Sequence, residues 1–289
     1  MILIGLIFLG LGLSYLVGFV FIHYVIGYDI MAIRNIYHHL DDPAVVTGLK
    51  FMQLSNVLGT FILPVLFFAV LVSEDWKKYL YLDKAPGLFS SLSVIVMVVV
   101  SQPWINLMVS VNEAMVLPDF LSGIETWMQE KEAGAEHLMD SFMEMNNLGD
   151  LLFNILLIGL SAALGEELLF RGLLQPYIQR ISGNRHLAVW VAAILFSGIH
   201  FQFYGFLPRM MLGVLFGYLL VWTNSIWLPV LAHFVNNAGA VLATYLFQGS
   251  GIGDRIEEVG STGEDWLWLA ITAPLLVYTI LAVFRRRDL

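Results

Sequence analysis

The chain has 289 residues, of which 58% are hydrophobic and 13% charged, and its formal net charge is -9. Soluble domains carry about 25% charged residues, so this composition excludes an ordinary soluble protein and indicates a membrane protein. The sequence has no cysteine, which excludes disulfides, thiol nucleophiles and thiolate metal sites. Most of the negative charge lies in two loops, so it does not indicate a nucleic-acid partner.

Eight apolar runs follow one another along the chain, and most are about as long as the ~20 residues that cross a bilayer as a helix. We therefore predict an all-α fold, a polytopic integral membrane helical bundle of about eight transmembrane helices. The predicted spans are residues 1–26, 55–73, 87–111, 151–172, 187–206, 207–222, 225–247 and 266–284. The first is predicted to be a span and not a removed signal peptide, because it lacks a basic segment and a small-residue cleavage site.

Basic residues concentrate in the loops after the second and fourth spans and in the C-terminal tail. They are Lys77, Lys78, Lys84, Arg180, Arg185, Arg285, Arg286 and Arg287. All these segments fall on one side of the membrane if the N-terminus is inside. The positive-inside rule then predicts that both termini are cytoplasmic.

The chain divides into three predicted regions. They are 1–149, with three spans and an acidic loop at 112–149; 150–247, with spans four to seven; and 248–289, with a loop, the last span and a basic tail. The loop at 112–149 has eight Asp and Glu against one Lys, and its apolar residues recur at helical spacing: Phe120, Ile124, Trp127, Met128, Leu138 and Phe142. This pattern predicts an amphipathic helix on the outer surface, either a solvated cap or a gate for substrate.

The fourth span contains charged residues in the sequence GEELLFRG. A charged side chain at the bilayer centre costs on the order of 2.5–3.5 kcal/mol on insertion scales, so these residues need compensating partners. Glu167 and Arg171 are four residues apart on one helical face, with the acid first, which is the favourable order for an ion pair. Glu166 lies about 100° around the helix and is free to point elsewhere.

Two later spans carry further polar groups. LFSGIHFQF contains Phe196 and His200 four residues apart, and LAHFVNNAGA contains His233 and Asn237 at the same spacing, with Asn236 beside them. A single histidine inside a bundle is more often a packed, hydrogen-bonded residue than a catalyst. Three polar clusters on three spans are better explained by one interior site.

These clusters carry a family resemblance. EELLFR fits EExxxR, FSGIH fits FxxxH and HFVNN fits HxxxN, in this order on successive spans. The sequence resembles the CPBP family of CAAX proteases and bacteriocin-processing enzymes, whose eukaryotic members include the type II CAAX prenyl protease. The resemblance covers about residues 150–247 and leaves the first three spans and the last span unassigned.

The resemblance implies a role for each matching residue. Glu166 would be the general base that activates a water molecule with help from His200. Glu167 and Arg171 would be the ion pair that fixes the helix. His233 and Asn237 would stabilise the oxyanion of the tetrahedral intermediate. Phe196, which opens the second motif, would support the site.

The expected function is therefore an intramembrane endopeptidase without a favoured cofactor. Its substrate would be a membrane-embedded or lipidated polypeptide in the lipid bilayer, and a CAAX-type tail is one form of it. The compact loops favour a prokaryotic inner membrane. With the predicted span edges, however, Glu166 lies near the inner surface and His200 near the outer one, so the site requires span four to continue or span five to begin later.

Several alternatives stay open at this stage. Glu166, His200 and His233 would also suit a zinc site, although no HExxH motif is present. The same polar set would suit a non-catalytic transporter, bacteriocin immunity protein or assembly protein. Tyr28-Asp29 and GIGD at 251–254 match aspartyl intramembrane protease signatures only superficially, and a serine intramembrane protease lacks its GxSG element.

Overall fold

The computed structural model describes residues 1–28, 36–250, 259–261 and 265–285. Within these ranges the chain is helical and forms no strand, which confirms the predicted all-α fold. Seven described helices are long and apolar enough to cross a membrane, and the protein is an integral membrane protein. The GIGD segment, Asp29 and the basic tail after Arg285 lie outside the described residues.

Nine helices of fourteen residues or more organise the described chain. They are α1 (Ile2–Tyr24), α2 (Pro43–Val72), α3 (Leu88–Glu113), α4 (Ser122–Met143), α5 (Leu148–Ser182), α6 (Arg185–Gly198), α7 (Phe206–Thr223), α8 (Trp227–Phe247) and α9 (Trp266–Phe284). Helix α6 is apolar but shorter than the other hydrophobic helices. Helix α4 is the amphipathic segment predicted in the acidic loop, and it begins one turn after Pro118.

The edges of three predicted spans were wrong. The second helix begins at Pro43 and not near residue 55, because Asp42 caps its N-terminus by accepting a hydrogen bond from the Ala44 backbone. The fourth does not end at 172 but extends over Leu148–Ser182. The fifth ends at Gly198 and not at 206, since Phe201 adopts a positive φ of 53° and turns the chain.

These corrected edges bring the predicted site residues to one depth. Pro176 does not end α5, because it lies two residues after the last residue of the π-helical turn Leu168–Leu174. The wider π turn changes the hydrogen-bond register where proline lacks its N–H. At 1.5 Å per residue, Glu166 lies about 24 Å along the axis from the C-terminal end of α5. His200 lies about 22 Å from the start of the antiparallel α6 by the same rise.

Helix α8 lies at the centre of the bundle, where it packs against α3, α5 and α7. Helices α6 and α7 pack along each other, α1 packs on α2, and α3 packs on α9. The buried ionisable residues of α5 and α8, Glu167, Arg171 and His233, lie where these central helices meet. The fold therefore places a polar interior between α5, α6, α7 and α8.

Helix α4 lies across the end of the bundle where α5 begins. Its C-terminal part packs inward, because Phe142 and Leu138 join the apolar cluster around Ile22. Near its start, the Trp127 ring packs on Phe203 of the α6–α7 loop with ring centroids 5.2 Å apart. The α6–α7 loop is thus covered by α4.

Candidate active site

Glu167 and Arg171 form the ion pair that their spacing predicts. Arg171 Nη1 donates to Glu167 Oε1 over 3.0 Å, and both side chains are fully buried. Within the described residues, Oε2 of Glu167 and Nε of Arg171 have no hydrogen-bond partner. Because desolvating two ions is costly and neither is fully satisfied, the pair is held by its surroundings more than it stabilises them by itself.

Aromatic rings supply part of these surroundings. The guanidinium carbon of Arg171 lies 4.6 Å from the centroid of Phe196, 5.5 Å from Phe216 and 6.0 Å from Phe170. Cation–π attraction of this kind is stronger where water is excluded. Phe196, predicted as a supporting residue, therefore contacts both the buried Arg171 and the two histidines.

A second row of contacts joins α5 to α7. These contacts were not predicted from the sequence. Arg171 Nη2 donates to the Gly213 carbonyl over 2.9 Å, and one turn later Gln175 Nε2 donates to the Gly217 carbonyl over 3.1 Å. The acceptors form a GxxxG pair, a pattern that lets helix backbones approach closely in membranes. Two sequence features could have predicted these contacts. One is the spacing of Glu167, Arg171 and Gln175 at i, i+4 and i+8 on one face of α5, and the other is the GxxxG pair on α7.

We predict that Gly217→Ala lowers the free energy of unfolding by about 1–3 kcal/mol, the usual cost of overpacking. A Cβ at this position would lie 2.8 Å from Gln175 Oε1 and 2.9 Å from Val189 Cγ1, so the helices must separate. The measurement is equilibrium unfolding in detergent micelles. Gly239→Ala is the matched control, because a Cβ there meets nothing within 4 Å. Equal stability of the two variants would contradict the prediction.

His233 is positioned by Glu167. Its Nδ1 lies 2.9 Å from Glu167 Oε1, the same oxygen that accepts from Arg171. Since an ionised carboxylate only accepts hydrogen bonds, Nδ1 carries the proton and the other ring nitrogen, Nε2, faces away from Glu167. The ring also stacks on Phe216 with centroids 5.3 Å apart. Glu167 thus orients a predicted catalytic residue in addition to pairing with Arg171.

His200 is held in a similar way by backbone. Its Nδ1 lies 2.8 Å from the carbonyl oxygen of Phe196, which can only accept, so Nδ1 again carries the proton. The Phe196 ring packs edge-on against His200 at a centroid distance of 5.4 Å. The Nε2 atom of His200 is therefore left to face the interior.

Both free imidazole nitrogens approach Glu166. His200 Nε2 and His233 Nε2 each lie 3.9 Å from Glu166 Oε2. This separation is too long for a direct hydrogen bond. A single water making two hydrogen bonds of about 2.8 Å at roughly a right angle spans about 4 Å, so the spacing suits a bridging water.

Asn237 stands apart from this convergence. Its Nδ2 donates to the Ile158 carbonyl over 3.0 Å, and its Oδ1 accepts from Asn236 Nδ2 over 3.1 Å. Ile158 lies in the π-helical turn Ile155–Ser161 of α5. The structure thus brings Glu166, His200 and His233 together and ties Asn237 to α5 one turn further along α8. Its predicted role as an oxyanion donor stays a prediction.

The donor types at Glu166, His200 and His233 suit zinc, but their spacing does not. Two ligands at about 2.0–2.1 Å from a tetrahedral zinc ion lie roughly 3.4 Å apart, which is shorter than the two 3.9 Å separations. Within the part of the chain that the structure describes, no group of three His, Asp or Glu side chains is arranged to hold a metal ion. The alternative zinc site therefore does not fit these positions as they stand.

Comparison with known proteins assigns the segment that contains this site. Residues 148–239 match the family described as type II CAAX prenyl endopeptidase Rce1-like. The resemblance is confirmed. The uncharacterized protein YpbD of Bacillus subtilis (strain 168) is 30% identical over 89 residues, which is 29% of this chain and 42% of that protein. The chain thus spans less than half of that relative, and no solved structure matches.

The Rce1-like segment runs from the start of α5 into α8 and contains every predicted site residue. Two polar neighbours outside the three motifs were not predicted. Gln102 on α3 donates to Asn236 Oδ1 over 3.3 Å and so reaches the Rce1-like segment from outside it. Arg209 lies in the first turn of α7, and its charge acts on both Glu166 and His200.

Proposed function

We propose that the protein is a CAAX-type intramembrane endopeptidase that hydrolyses a peptide bond by direct attack of water. The observation that carries this proposal is the approach of His200 Nε2 and His233 Nε2 to one oxygen of Glu166, each at 3.9 Å. The match of residues 148–239 to the Rce1-like family supports the same reaction class.

In the proposed reaction, Glu166 is the general base. A water bridging Glu166 Oε2 and His200 Nε2 would give its proton to the carboxylate as it attacks the substrate carbonyl carbon. His200 Nε2 accepts a hydrogen bond from the second O–H of the same water, because Nδ1 of this histidine already carries the proton that it donates to the Phe196 carbonyl. The protonated Glu166 then returns the proton to the departing amine, as general acid–base catalysis requires.

The negative charge that develops on the carbonyl oxygen needs hydrogen-bond donors. His233 would donate through Nε2 when that nitrogen also carries a proton, while its Nδ1 stays bound to the Glu167 carboxylate. Asn237 Nδ2 carries a second hydrogen besides the one it gives to Ile158, and we assign that hydrogen to the oxyanion. Removal of one such donor in other enzymes costs about 2.7–4 kcal/mol of transition-state stabilisation.

The proposed substrate is a membrane-embedded or lipidated polypeptide. Glu166 lies near the middle of α5, and the helices around it expose apolar side chains to the bilayer. A substrate anchored in the same bilayer reaches this depth without crossing water. We place the protein in a prokaryotic inner membrane with both termini in the cytoplasm, as the loop charges predict.

The test is cleavage of an S-farnesylated fluorogenic heptapeptide by the purified protein in lipid nanodiscs, with the products identified by mass spectrometry. Wild-type protein is expected to release one discrete fragment, and His200→Ala and His233→Ala to lose most of this activity. A variant series that changes solute transport or bacteriocin immunity while no peptide is cleaved would contradict the proposal and favour a non-catalytic protein.

We further predict that hydrolysis is insensitive to metal chelation. The proposed chemistry is complete with Glu166, two histidines and water, and the ligand spacing does not suit zinc. The measurement compares initial rates after dialysis against 1,10-phenanthroline or EDTA with rates after mock dialysis. Loss of activity in both chelators, with recovery on addition of zinc alone, would replace the glutamate mechanism with a metalloprotease mechanism.

A further inference from the structure

Arg209, a cation whose charge acts on Glu166 and His200, is held by a glutamine side chain. Arg209 Nη2 donates to Gln202 Oε1 over 2.8 Å, and Nη1 lies 3.4 Å from the Gln202 carbonyl oxygen. Among the residues that the structure describes, no Asp or Glu forms an ion pair with Arg209. The guanidinium is also closely packed, since a Cβ on Gly205 would lie 3.0 Å from Nη2. Arg209 is therefore held in place with its charge unneutralised by a direct partner.

The surroundings of Arg209 connect the catalytic residues to α4. Its charge acts on Glu166 of α5 and on Glu132 of α4. Glu132 Oε2 in turn accepts a hydrogen bond from the Tyr204 backbone over 3.3 Å, which joins α4 to the α6–α7 loop. Arg209 gives one hydrogen from Nη1 and one from Nη2 to Gln202, so its guanidinium keeps further N–H donors for a carboxylate of a ligand.

A cavity of about 530 Å³ lies under α4. Its walls are mostly apolar and come from α3, α4, the end of α6, the α6–α7 loop and the start of α7. They include Gln202, Tyr204 and Leu207, and also one carboxylate, Glu125 of α4. Gln202 also accepts the hydrogen bond from Arg209 Nη2, so one side chain both lines the cavity and contacts the cation. Ser197 and Gly198, in the last turn of α6 before His200, line the same space. Volumes of this size accommodate small ligands or a few side chains.

We propose that Arg209, held by Gln202, is a specificity residue that binds a carboxylate of the substrate, while apolar side chains next to that carboxylate occupy the cavity under α4. The inference rests on the proposed function for the position of the cleaved bond. Glu132 competes electrostatically for Arg209 before substrate arrives. The carboxylate is either the C-terminal one or that of an acidic side chain, and the experiment separates these two sources.

The experiment uses three fluorescein-labelled, S-farnesylated heptapeptides that differ only at the last residue. The first ends in an aliphatic residue with a free carboxylate, the second in its amide, and the third in an aspartate amide. Dissociation constants are measured by fluorescence anisotropy in nanodiscs, with Glu166→Gln as the common background so that peptides stay intact. Hydrolysis of all three is measured separately with the wild-type residue at position 166.

The free acid is expected to bind about tenfold more tightly than the amide, as one charge-assisted hydrogen bond predicts. Arg209→Gln is expected to abolish this difference, Arg209→Lys to retain part of it, and Glu132→Gln to tighten binding of the acid. Arg185→Gln, at an exposed arginine that begins α6, is the matched control and should leave all three dissociation constants unchanged. If the aspartate amide binds as tightly as the free acid, Arg209 binds the carboxylate of an acidic side chain.

Equal binding of all three peptides, or an unchanged preference in Arg209→Gln, would overturn the subsite even if the wild-type protein hydrolyses peptide. Conversely, an Arg209-dependent preference without any hydrolysis would leave the subsite in place and reject the proposed function. The binding measurements therefore test the role of Arg209, and the hydrolysis measurements test the proposed function independently of it.

Discussion

Glu166→Gln is expected to lower kcat for the farnesylated reporter peptide by about 10²–10⁴-fold, the range for loss of a general acid–base residue. Glutamine has nearly the shape of glutamate but cannot accept the proton of the attacking water. Because Glu166 forms no direct hydrogen bond to Glu167 or Arg171, the substitution should leave the buried ion pair intact. The measurement is steady-state hydrolysis in nanodiscs.

The control for this variant is Glu74→Gln, the same change at an exposed residue in the loop after α2. It should match wild type in both kcat and KM. Thermal unfolding of Glu166→Gln should also match wild type, so that lost activity is not lost structure. Retention of more than a tenth of the wild-type kcat would show that Glu166 is not the base.

Glu167→Gln, one residue further along, is expected to destabilise the protein by about 3–5 kcal/mol, the cost of breaking a buried ion pair from one side. Arg171 would keep its charge in a fully buried position, with only the Gly213 carbonyl and aromatic rings around it. His233 would also lose the carboxylate that holds its Nδ1. The measurement is the free energy of unfolding in mixed micelles.

The double variant Glu167→Gln/Arg171→Met tests the reason for this loss. Removing both charges leaves no uncompensated ion, so part of the stability should return relative to Glu167→Gln alone. A double variant whose destabilisation equals the sum of the two single variants would contradict the ion-pair explanation. Glu166→Gln is the matched control for Glu167→Gln. It is the same substitution one position earlier, and it should lower activity without lowering the free energy of unfolding.

Several features of the molecule could be predicted from local sequence patterns. Hydropathy predicts the helices because a bilayer requires long apolar segments whose backbone is satisfied internally. The pair of Glu167 and Arg171 follows from i, i+4 spacing on a helix. The convergence of Glu166, His200 and His233 was expected only through the three motifs and their order, since no local rule relates residues on different helices.

Other features depended on contacts that sequence spacing does not encode. The end of α5 was misjudged because the predicted span stopped at residue 172, whereas the helix continues through a π-helical turn and past Pro176. The end of α6 was misjudged because the positive φ of Phe201 turns the chain. The sequence did not indicate that the Asn237 amide also donates to the Ile158 carbonyl, 79 positions away. The environment of Arg209 was missed because Gln202 and Glu132 lie on different segments.

The sequence by itself determined that this is an all-α membrane protein, and it predicted that two adjacent glutamates point in different directions from one helix. It could do so because burial in a bilayer and helical periodicity are properties of short segments. Only the tertiary structure decided what each glutamate contacts. Glu167 binds His233, 66 residues away, and Arg171 binds the Gly213 carbonyl, 42 residues away. Such contacts depend on how closely the helices approach, and that distance is set by the packing of the whole bundle.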